Sequence, residues 1–255
     1  MAVSSKHLGD GVVAVTVDYP PVNALPVRGW FDLADALRAA GDDRATRVVV
    51  LRAEGRGFCA GIDIKEVQRD PGYDALIRAN HGCYAAFSAV YHCPVPVVAA
   101  VQGFCLGGGV GVVGNADIVV AADDATFAVP EVDRGALGAA THLARLVPQH
   151  LMRALYYTGR EISAQEVRTH GGVYDVVPRA ELDDAAHELA REIATKDGTV
   201  LRCAKQALNG IDPVDVDRSY RFEQGFTFEL NLAGVSDSAR RQFIDRARID
   251  RPNAG

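Results

Sequence analysis

The chain has 255 residues, is 48% hydrophobic and carries a formal net charge of −6. This length allows one large buried core, and the negative charge argues against nucleic acid or an anionic membrane as the main partner. Five cysteines without a CxxC pair, and no apolar run of membrane-spanning length, predict a cytoplasmic protein with reduced thiols.

Strand-like and helix-like segments alternate through the first 180 residues. Continuous apolar runs predict strands, and apolar residues at helical spacing predict the helices between them. The predicted strands are residues 12–17, 47–52, 97–101, 118–121 and 171–177, and the predicted helices are 30–40 and 73–92. This alternation is typical of an α/β protein whose strands are covered on both faces.

From residue 180 onwards the pattern is helical throughout. Apolar spacing predicts helices over residues 182–193, 200–208, 216–232 and 239–248. We therefore predict an α/β body over residues 1–180 and a helical C-terminal region over residues 181–255. This region carries more apolar surface than an isolated appendage buries, which predicts an oligomer interface.

Two turns combine a strand end, glycine and small residues. One is GFCAGID at 57–63, after the strand at 47–52, and the other is GFCLGGG at 103–109, after the strand at 97–101. Unpaired backbone N–H groups are expected at such turns and suit an oxyanion or a phosphate. Two separate turns can offer two donors to one oxygen. Spacing alone equally allows that the glycines only let a helix pack closely on a sheet.

A dinucleotide-binding motif is also present in outline. Gly109, Gly111 and Gly114 match GxGxxG after a strand. However, the next strand begins at Ile118, which leaves no room for a crossover helix, and no acidic residue ends that strand at the expected distance. The context therefore argues against nicotinamide or flavin binding.

Three motifs in order resemble the crotonase (enoyl-CoA hydratase/isomerase) superfamily. They are GFCAGIDIK at 57–65, GFCLGGG at 103–109 and FAVPEV at 127–132, and the resemblance extends from residue 12 to residue 243. It implies a ClpP/crotonase-like spiral of ββα units with a helical C-terminal trimerisation region. It also implies an acyl-CoA thioester substrate and a homotrimer or dimer of trimers. Coenzyme A would enter as part of the substrate, with no separate cofactor and no metal.

The resemblance also assigns roles to individual residues. The backbone N–H groups of Ile62 and Gly108 would form the oxyanion hole for the thioester carbonyl, with Glu131 as the general base. The turn at 60–64 would line the adenine end of the coenzyme A site. The substrate-binding candidates are Ala60, Asp63, Ile64, Gly107, Gly111, Phe127, Asp133, Arg134 and His142.

Several of these candidates have a structural alternative. Asp133 and Arg134 can pair with each other, and His142 lies in a small-residue segment where a buried, non-catalytic histidine is common. Glu131 can cap the helix that follows its proline. An apolar pocket lined by Phe127 would raise the pKa of Glu131 towards a value suited to proton transfer.

One position departs from the pattern of the superfamily's hydratases. These enzymes carry two glutamates that hold water, and here the first of them is replaced by Gly111, while the second is Glu131. A lone carboxylate is typical of Δ3,Δ2-enoyl-CoA isomerases and of members that cleave C–C bonds. We expect the glycine to leave room for a bulky ring system.

A closer resemblance is to a sub-family of ring-opening hydrolases of bacterial steroid breakdown. The segments are VTVDYPPVNA at 15–24, RGALGAATHL at 134–143 and EQGFTFELNL at 223–232. They imply hydrolytic C–C ring opening of a bicyclic indane-dione carboxyl-CoA thioester. The alternatives are a Δ3,Δ2-enoyl-CoA isomerase, a hydratase of fatty enoyl-CoA and a non-catalytic scaffold, the last of which the retained Glu131 and the acidic charge disfavour.

Overall fold

The computed structural model describes residues 2–70 and 72–249. The strands are β1 (Ala2–Gly9), β2 (Val12–Asp18), β3 (Ala24–Leu25), β4 (Val48–Ala53), β5 (Gly61–Ile62), β6 (Val97–Val101), β7 (Phe104–Leu106), β8 (Ile118–Ala122), β9 (Thr126–Ala128), β10 (Ile162–Ser163) and β11 (Asp175–Val177). The helices of the body are α1 (Val27–Asp42), α2 (Ile64–Arg69), α3 (Asp74–Tyr91), α4 (Gly108–Val113), α5 (Ala140–Leu143), α6 (Gln149–Thr158) and α7 (Ala164–Thr169).

The C-terminal region consists of four helices. They are α8 (Leu182–Ala194), α9 (Gly198–Gly210), α10 (Val216–Leu232) and α11 (Val235–Ile249). Two 3-10 helices, Pro130–Arg134 and Arg179–Glu181, complete the described secondary structure. None of the described helices is long and apolar enough to cross a membrane.

The main sheet has six strands in the order β1-β2-β4-β6-β8-β11. Strand β1 runs antiparallel to β2, and the other neighbours are parallel. Alternate residues of each parallel strand face opposite sides, and both sides are apolar. Val13 and Val15 belong to the core that contains α1 and α3, whereas Val12 and Val48 pack with α8 on the other side. Burial of both faces is the reason for the continuous apolar runs in the sequence.

A ββα unit is repeated around this sheet. After each of β4, β6 and β8 the chain leaves the main sheet and forms a short strand followed by a helix. These helices are α2, α4 and the 3-10 helix Pro130–Arg134, respectively. Short strands β7 and β9 pair in parallel, and the N–H of Leu106 donates to the carbonyl of Cys59 (2.8 Å). The three helix starts therefore lie side by side. This arrangement confirms the predicted α/β spiral with a helical C-terminal region.

The predicted strands and helices are present in the structure, but the short strands and the helices α2, α5, α6 and α7 were not predicted. Strand β1 was not predicted, because AVSSKHLG is polar and mostly exposed at the edge of the sheet. The last strand begins at Asp175 rather than Gly171. Helix α8 starts the predicted C-terminal region, but its buried residues Leu182 and Ala186 cover the main sheet of the body.

Candidate active site

The first turn of the site joins β5 to α2. Strand β5 pairs with β3, and the N–H of Asp63 donates to the carbonyl of Leu25 (2.9 Å). Gly61 has φ +89°, a conformation that favours glycine. A Cβ at this position would stand 3.4 Å from the amide nitrogen of Gly108. The turn that carries Ile62 is therefore in contact with the start of α4.

The second turn joins β7 to α4. Gly107 has φ 53°, and its N–H donates to the carbonyl of Ala128 (2.9 Å), which ties the turn to β9. Helix α4 begins at Gly108, and the first N–H groups of a helix have no partner within it. The two turns thus place the amide of Gly108 beside the loop of Ile62. Two donors on neighbouring turns can bind one oxygen.

Glu131 lies against the second turn. It belongs to the 3-10 helix Pro130–Arg134, and its carboxylate Oε1 occupies the place that a Cβ on Gly107 would need. Among the described residues, Oε2 of Glu131 is buried and has no hydrogen-bond partner. Burial raises the pKa of Glu131 to about 7, Arg134 acts to lower it and Glu223 to raise it. Such a carboxylate can exchange a proton near neutral pH.

One cavity contains both turns and the carboxylate. Its lining residues come from the first turn, α2, α3, the second turn, the 3-10 helix and the two last helices. They are Ala60, Gly61, Ile62, Ile64, Val67, Leu76, Gly107, Gly108, Glu131, Arg134, Ala136, Thr227 and Arg240. Seven of the candidates that the sequence analysis named line this cavity: Ala60, Ile62, Ile64, Gly107, Gly108, Glu131 and Arg134.

The structure contradicts the expectation that Gly111 opens space for substrate. Gly111 is buried in α4, and a Cβ on it would overlap the phenyl ring of Phe87. Phe87 is 1% exposed and packs edge-on against Trp30 (ring centroids 5.8 Å apart). The volume beside position 111 is therefore filled by an aromatic ring and is not open to a ligand.

His142 also lies outside the cavity lining. Its ring is fully buried between Phe87 and Tyr220, with centroids 4.8 Å and 4.9 Å away, and Nδ1 is 3.2 Å from Oδ1 of Asn115. Burial, assisted by Arg145, lowers its pKa to about 3, so the ring is neutral. His142 therefore fits the alternative given in the sequence analysis, a buried histidine without a catalytic role.

Three further candidates, Asp63, Phe127 and Asp133, lie outside the cavity lining. The side chain of Asp63 caps α2 by accepting from the N–H of Lys65 (3.0 Å). Phe127, in β9, is fully buried in the core, and Asp133 is exposed and lies next to Gly159.

Helix α10 holds the loop that follows the 3-10 helix. The carboxylate of Glu223 accepts hydrogen bonds from the N–H groups of Ala140 (3.0 Å) and Thr141 (2.7 Å) and from the Thr141 hydroxyl. Thr227 accepts from the N–H of Leu137 (2.9 Å) and donates to its carbonyl (2.7 Å). Burial raises the pKa of Glu223. These contacts fix the backbone directly downstream of Glu131.

The sequence analysis did not identify the part of the cavity wall that Thr227, Arg240, Leu76 and Val67 form. Leu76 lies in the predicted helix over residues 73–92 and Thr227 in the segment EQGFTFELNL, but neither was named as a site residue. Val67 and Arg240 lie in no motif that the sequence analysis quotes. Thr227 and Arg240 lie about a hundred residues after Glu131 and reach the cavity only through docking of α10 and α11. No group of three metal-binding side chains occurs within residues 2–70 and 72–249.

Comparison with known proteins agrees with this architecture. Residues 7–224 match the enoyl-CoA hydratase/isomerase family, and the chain belongs to this family, which is the crotonase family of the sequence resemblance. Among solved structures, an enoyl-CoA hydratase/isomerase from Xanthobacter autotrophicus Py2 is similar with a TM-score of 0.86 at 27% identity, covering 98% of this chain and 94% of that chain.

Two relatives are far more similar in sequence. Both are named (7aS)-7a-methyl-1,5-dioxo-2,3,5,6,7,7a-hexahydro-1H-indene-carboxyl-CoA hydrolase. The one from Rhodococcus jostii (strain RHA1) is 65% identical over 97% of this chain and 96% of its own length. The one from Mycobacterium tuberculosis (strain ATCC 25618 / H37Rv) is 62% identical over 97% of this chain and all of its own length.

Proposed function

We propose that this chain hydrolyses a C–C bond in the ring system of a bicyclic indane-dione carboxyl-CoA thioester. The observation that carries the proposal is the single buried carboxylate of Glu131 beside the turns of Ile62 and Gly108, with Phe87 where a second carboxylate would stand. The two relatives named as hydrolases of such a thioester, at 65% and 62% identity, support the same substrate class.

In the proposed reaction the thioester oxygen accepts hydrogen bonds from the N–H groups of Ile62 and Gly108. Glu131 takes a proton from a water molecule, whose oxygen adds to a ring ketone. The neighbouring C–C bond then breaks, and its electron pair enters the conjugated thioester to form an enolate. Glu131 returns the proton to carbon, and the net addition is one water. Each N–H donor of such a pair contributes about 3–4 kcal/mol to the stability of the transition state.

The pKa of Glu131 supports its role as the base. A general base works best when its pKa is close to the operating pH, and a value of about 7 meets this condition. The other cavity residues of the first turn, Ala60 and Ile64, are proposed to contact coenzyme A at its adenine end. Both residues line the cavity and are half-buried, which supports this placement.

A second candidate function is Δ3,Δ2-enoyl-CoA isomerisation. It needs only one carboxylate to move a proton, and the arrangement of Glu131 and the two turns satisfies that need. Hydration of fatty enoyl-CoA is less well supported, because Phe87 occupies the place of the second glutamate. A scaffold without activity has no use for a buried carboxylate with an unpaired oxygen.

The test is to incubate the protein with three thioesters in H₂¹⁸O: the bicyclic dione, a 3-enoyl-CoA and crotonyl-CoA. We expect only the bicyclic thioester to gain a water together with a new ¹⁸O-labelled carboxylate, with coenzyme A still attached. Glu131→Gln is expected to abolish this product. Glu161→Gln, at an exposed position, is the matched control. Efficient hydration of crotonyl-CoA, or double-bond migration in the 3-enoyl-CoA alone, would contradict ring opening.

We also propose that the chain forms a homotrimer or a dimer of trimers in the cytoplasm. Exposed apolar side chains of the C-terminal helices, such as Phe222 (70%) and Leu232 (73%), support an interface there. Buried free thiols, including Cys83 and Cys105, are compatible with a reducing compartment. Light scattering after size exclusion, on the wild type and on Phe222→Ser with Leu232→Ser, tests the assembly.

A further inference from the structure

Two guanidinium groups face the cavity that holds Glu131, and they differ in their surroundings. Arg240 of α11 is engaged by Oδ1 of Asn231 (2.8 Å), by Oε1 of Gln68 (3.2 Å) and by the carboxylate of Asp237 (3.9 Å). Arg134 lies with Cζ 4.5 Å from the ring centroid of Phe243. A guanidinium held over an aromatic ring keeps its N–H groups in its own plane, where they remain available to an acceptor.

Arg134 and Glu131 share one turn of the 3-10 helix. Three residues make one turn of such a helix, so side chains three positions apart lie on the same face. Both side chains line the cavity, and the field of Arg134 acts on Glu131. The guanidinium nevertheless does not close onto Oε2 of Glu131, which has no hydrogen-bond partner among the described residues. The acid and the cation thus line the same cavity without a hydrogen bond between the guanidinium and this oxygen.

The proposed ring opening creates negative charge at two separate atoms. When water adds to the ring ketone, the ketone oxygen becomes an alkoxide. When the C–C bond breaks, the charge moves to the thioester oxygen. The N–H groups of Ile62 and Gly108 are proposed to bind the thioester oxygen, so they do not serve the ketone oxygen. The other oxygen needs its own donor in the part of the cavity next to the base.

We propose that Arg134 is a catalytic residue that donates hydrogen bonds to the ring-ketone oxygen while Glu131 directs water onto the ketone carbon. This inference rests on the proposed ring-opening function. Glu131 accepts one proton from water, the new C–O bond forms and the C=O π pair moves onto the oxygen held by Arg134. The alkoxide then collapses to the carboxylic acid as the ring C–C bond breaks into the thioester. Glu131 returns its proton to the enolate carbon, the new carboxylic acid releases its own proton to solvent water, and Arg134 remains the counter-ion of the carboxylate.

The test compares Arg134→Met, Arg134→Lys and the surface control Arg241→Met, whose parent side chain is 69% exposed on α11. Loss of one oxyanion donor lowers kcat by about 10²–10³-fold, and this is the expectation for Arg134→Met. Arg134→Lys is expected to retain more of the rate, since it keeps the charge. Binding of the intact bicyclic thioester, measured by calorimetry in the Glu131→Gln background, is expected to weaken less than about tenfold in Arg134→Met.

Circular dichroism first verifies that the variants fold, and the kinetic and binding results then test the role of Arg134. A large loss of kcat with nearly unchanged binding supports a donor to the reacting oxygen. A loss of kcat below about tenfold, or an equal loss of binding and rate, overturns it. Added methylguanidinium is expected to restore part of the activity of Arg134→Ala and none in Glu131→Gln. If the wild type does not open the ring at all, it is the proposed function that fails, not the assignment of Arg134 within it.

Discussion

The phenyl ring of Phe87 lies where a side chain at position 111 would stand. By the sequence resemblance, position 111 of α4 is the one at which hydratases carry a glutamate. Here the residue is glycine, and the ring of Phe87 fills the space that a side chain would need. The ring belongs to a buried aromatic group with Trp30, His142 and Tyr220. The loss of the second glutamate is thus built into the core and does not enlarge the site.

This contact predicts that Gly111 tolerates no side chain. Gly111→Ala places a methyl group on Phe87 and is expected to lower the free energy of unfolding by about 1–3 kcal/mol, the usual cost of overpacking. Urea denaturation measures it. In the Phe87→Leu background, Gly111→Ala is expected to lower the free energy of unfolding by less than it does in the wild type. Equal costs in both backgrounds would mean that Phe87 is not the obstacle.

The ionisation of Glu131 predicts the pH dependence of activity. The base must be deprotonated, and burial raises its pKa to about 7. We expect kcat/KM to rise about tenfold per pH unit below pH 7 and to level off above it. Arg134 acts to lower the pKa of Glu131. Arg134→Lys should therefore leave the pH at which kcat/KM levels off unchanged, and Arg134→Met should move it to higher pH. A flat profile between pH 5 and pH 8 would argue against Glu131 as the base.

How far the site could be predicted from sequence depends on the distance between its parts along the chain. Ile62, Gly108 and Glu131 each sit in a local strand–turn–helix unit, so their motifs and their role as neighbours were visible. Thr227 and Arg240 were not assigned to the site, although Thr227 lies in the quoted segment at 223–232, because helices α10 and α11 reach the cavity only through tertiary packing. Phe87 shows the same limit in the core. Its periodicity predicted burial, but not which glycine its ring would cover.

The raised pKa of Glu131 also predicts an effect on stability. The folded state favours the protonated carboxyl, so its contribution is fully present below the unfolded value of about 4.5 and is lost as the pH rises through about 7. Glu131→Gln removes this penalty. We expect the variant to be more stable than the wild type at pH 8 by about 3 kcal/mol, with the difference shrinking to zero near pH 4.5. Thermal or urea unfolding at both pH values measures it.

The start of α4 offers a direct test of the proposed oxyanion hole. A Cβ on Gly108 would stand 2.7 Å from Cη2 of Trp30, whose indole is fully buried. Gly108→Ala must therefore shift the backbone N–H that is proposed to donate to the thioester oxygen. We expect kcat to fall by about 10²-fold while the fold persists, since one donor of such a pair is worth this much.

The indole itself provides the matched control for Gly108→Ala. Trp30→Phe shortens the ring at the point of overlap, so Gly108→Ala in this background is expected to lose less kcat than in the wild type. Both comparisons use steady-state ring opening of the bicyclic thioester, with circular dichroism to verify folding. If Gly108→Ala costs nothing in either background, the amide at this position does not contact the reacting oxygen, and the turn serves only to pack α4 on the sheet.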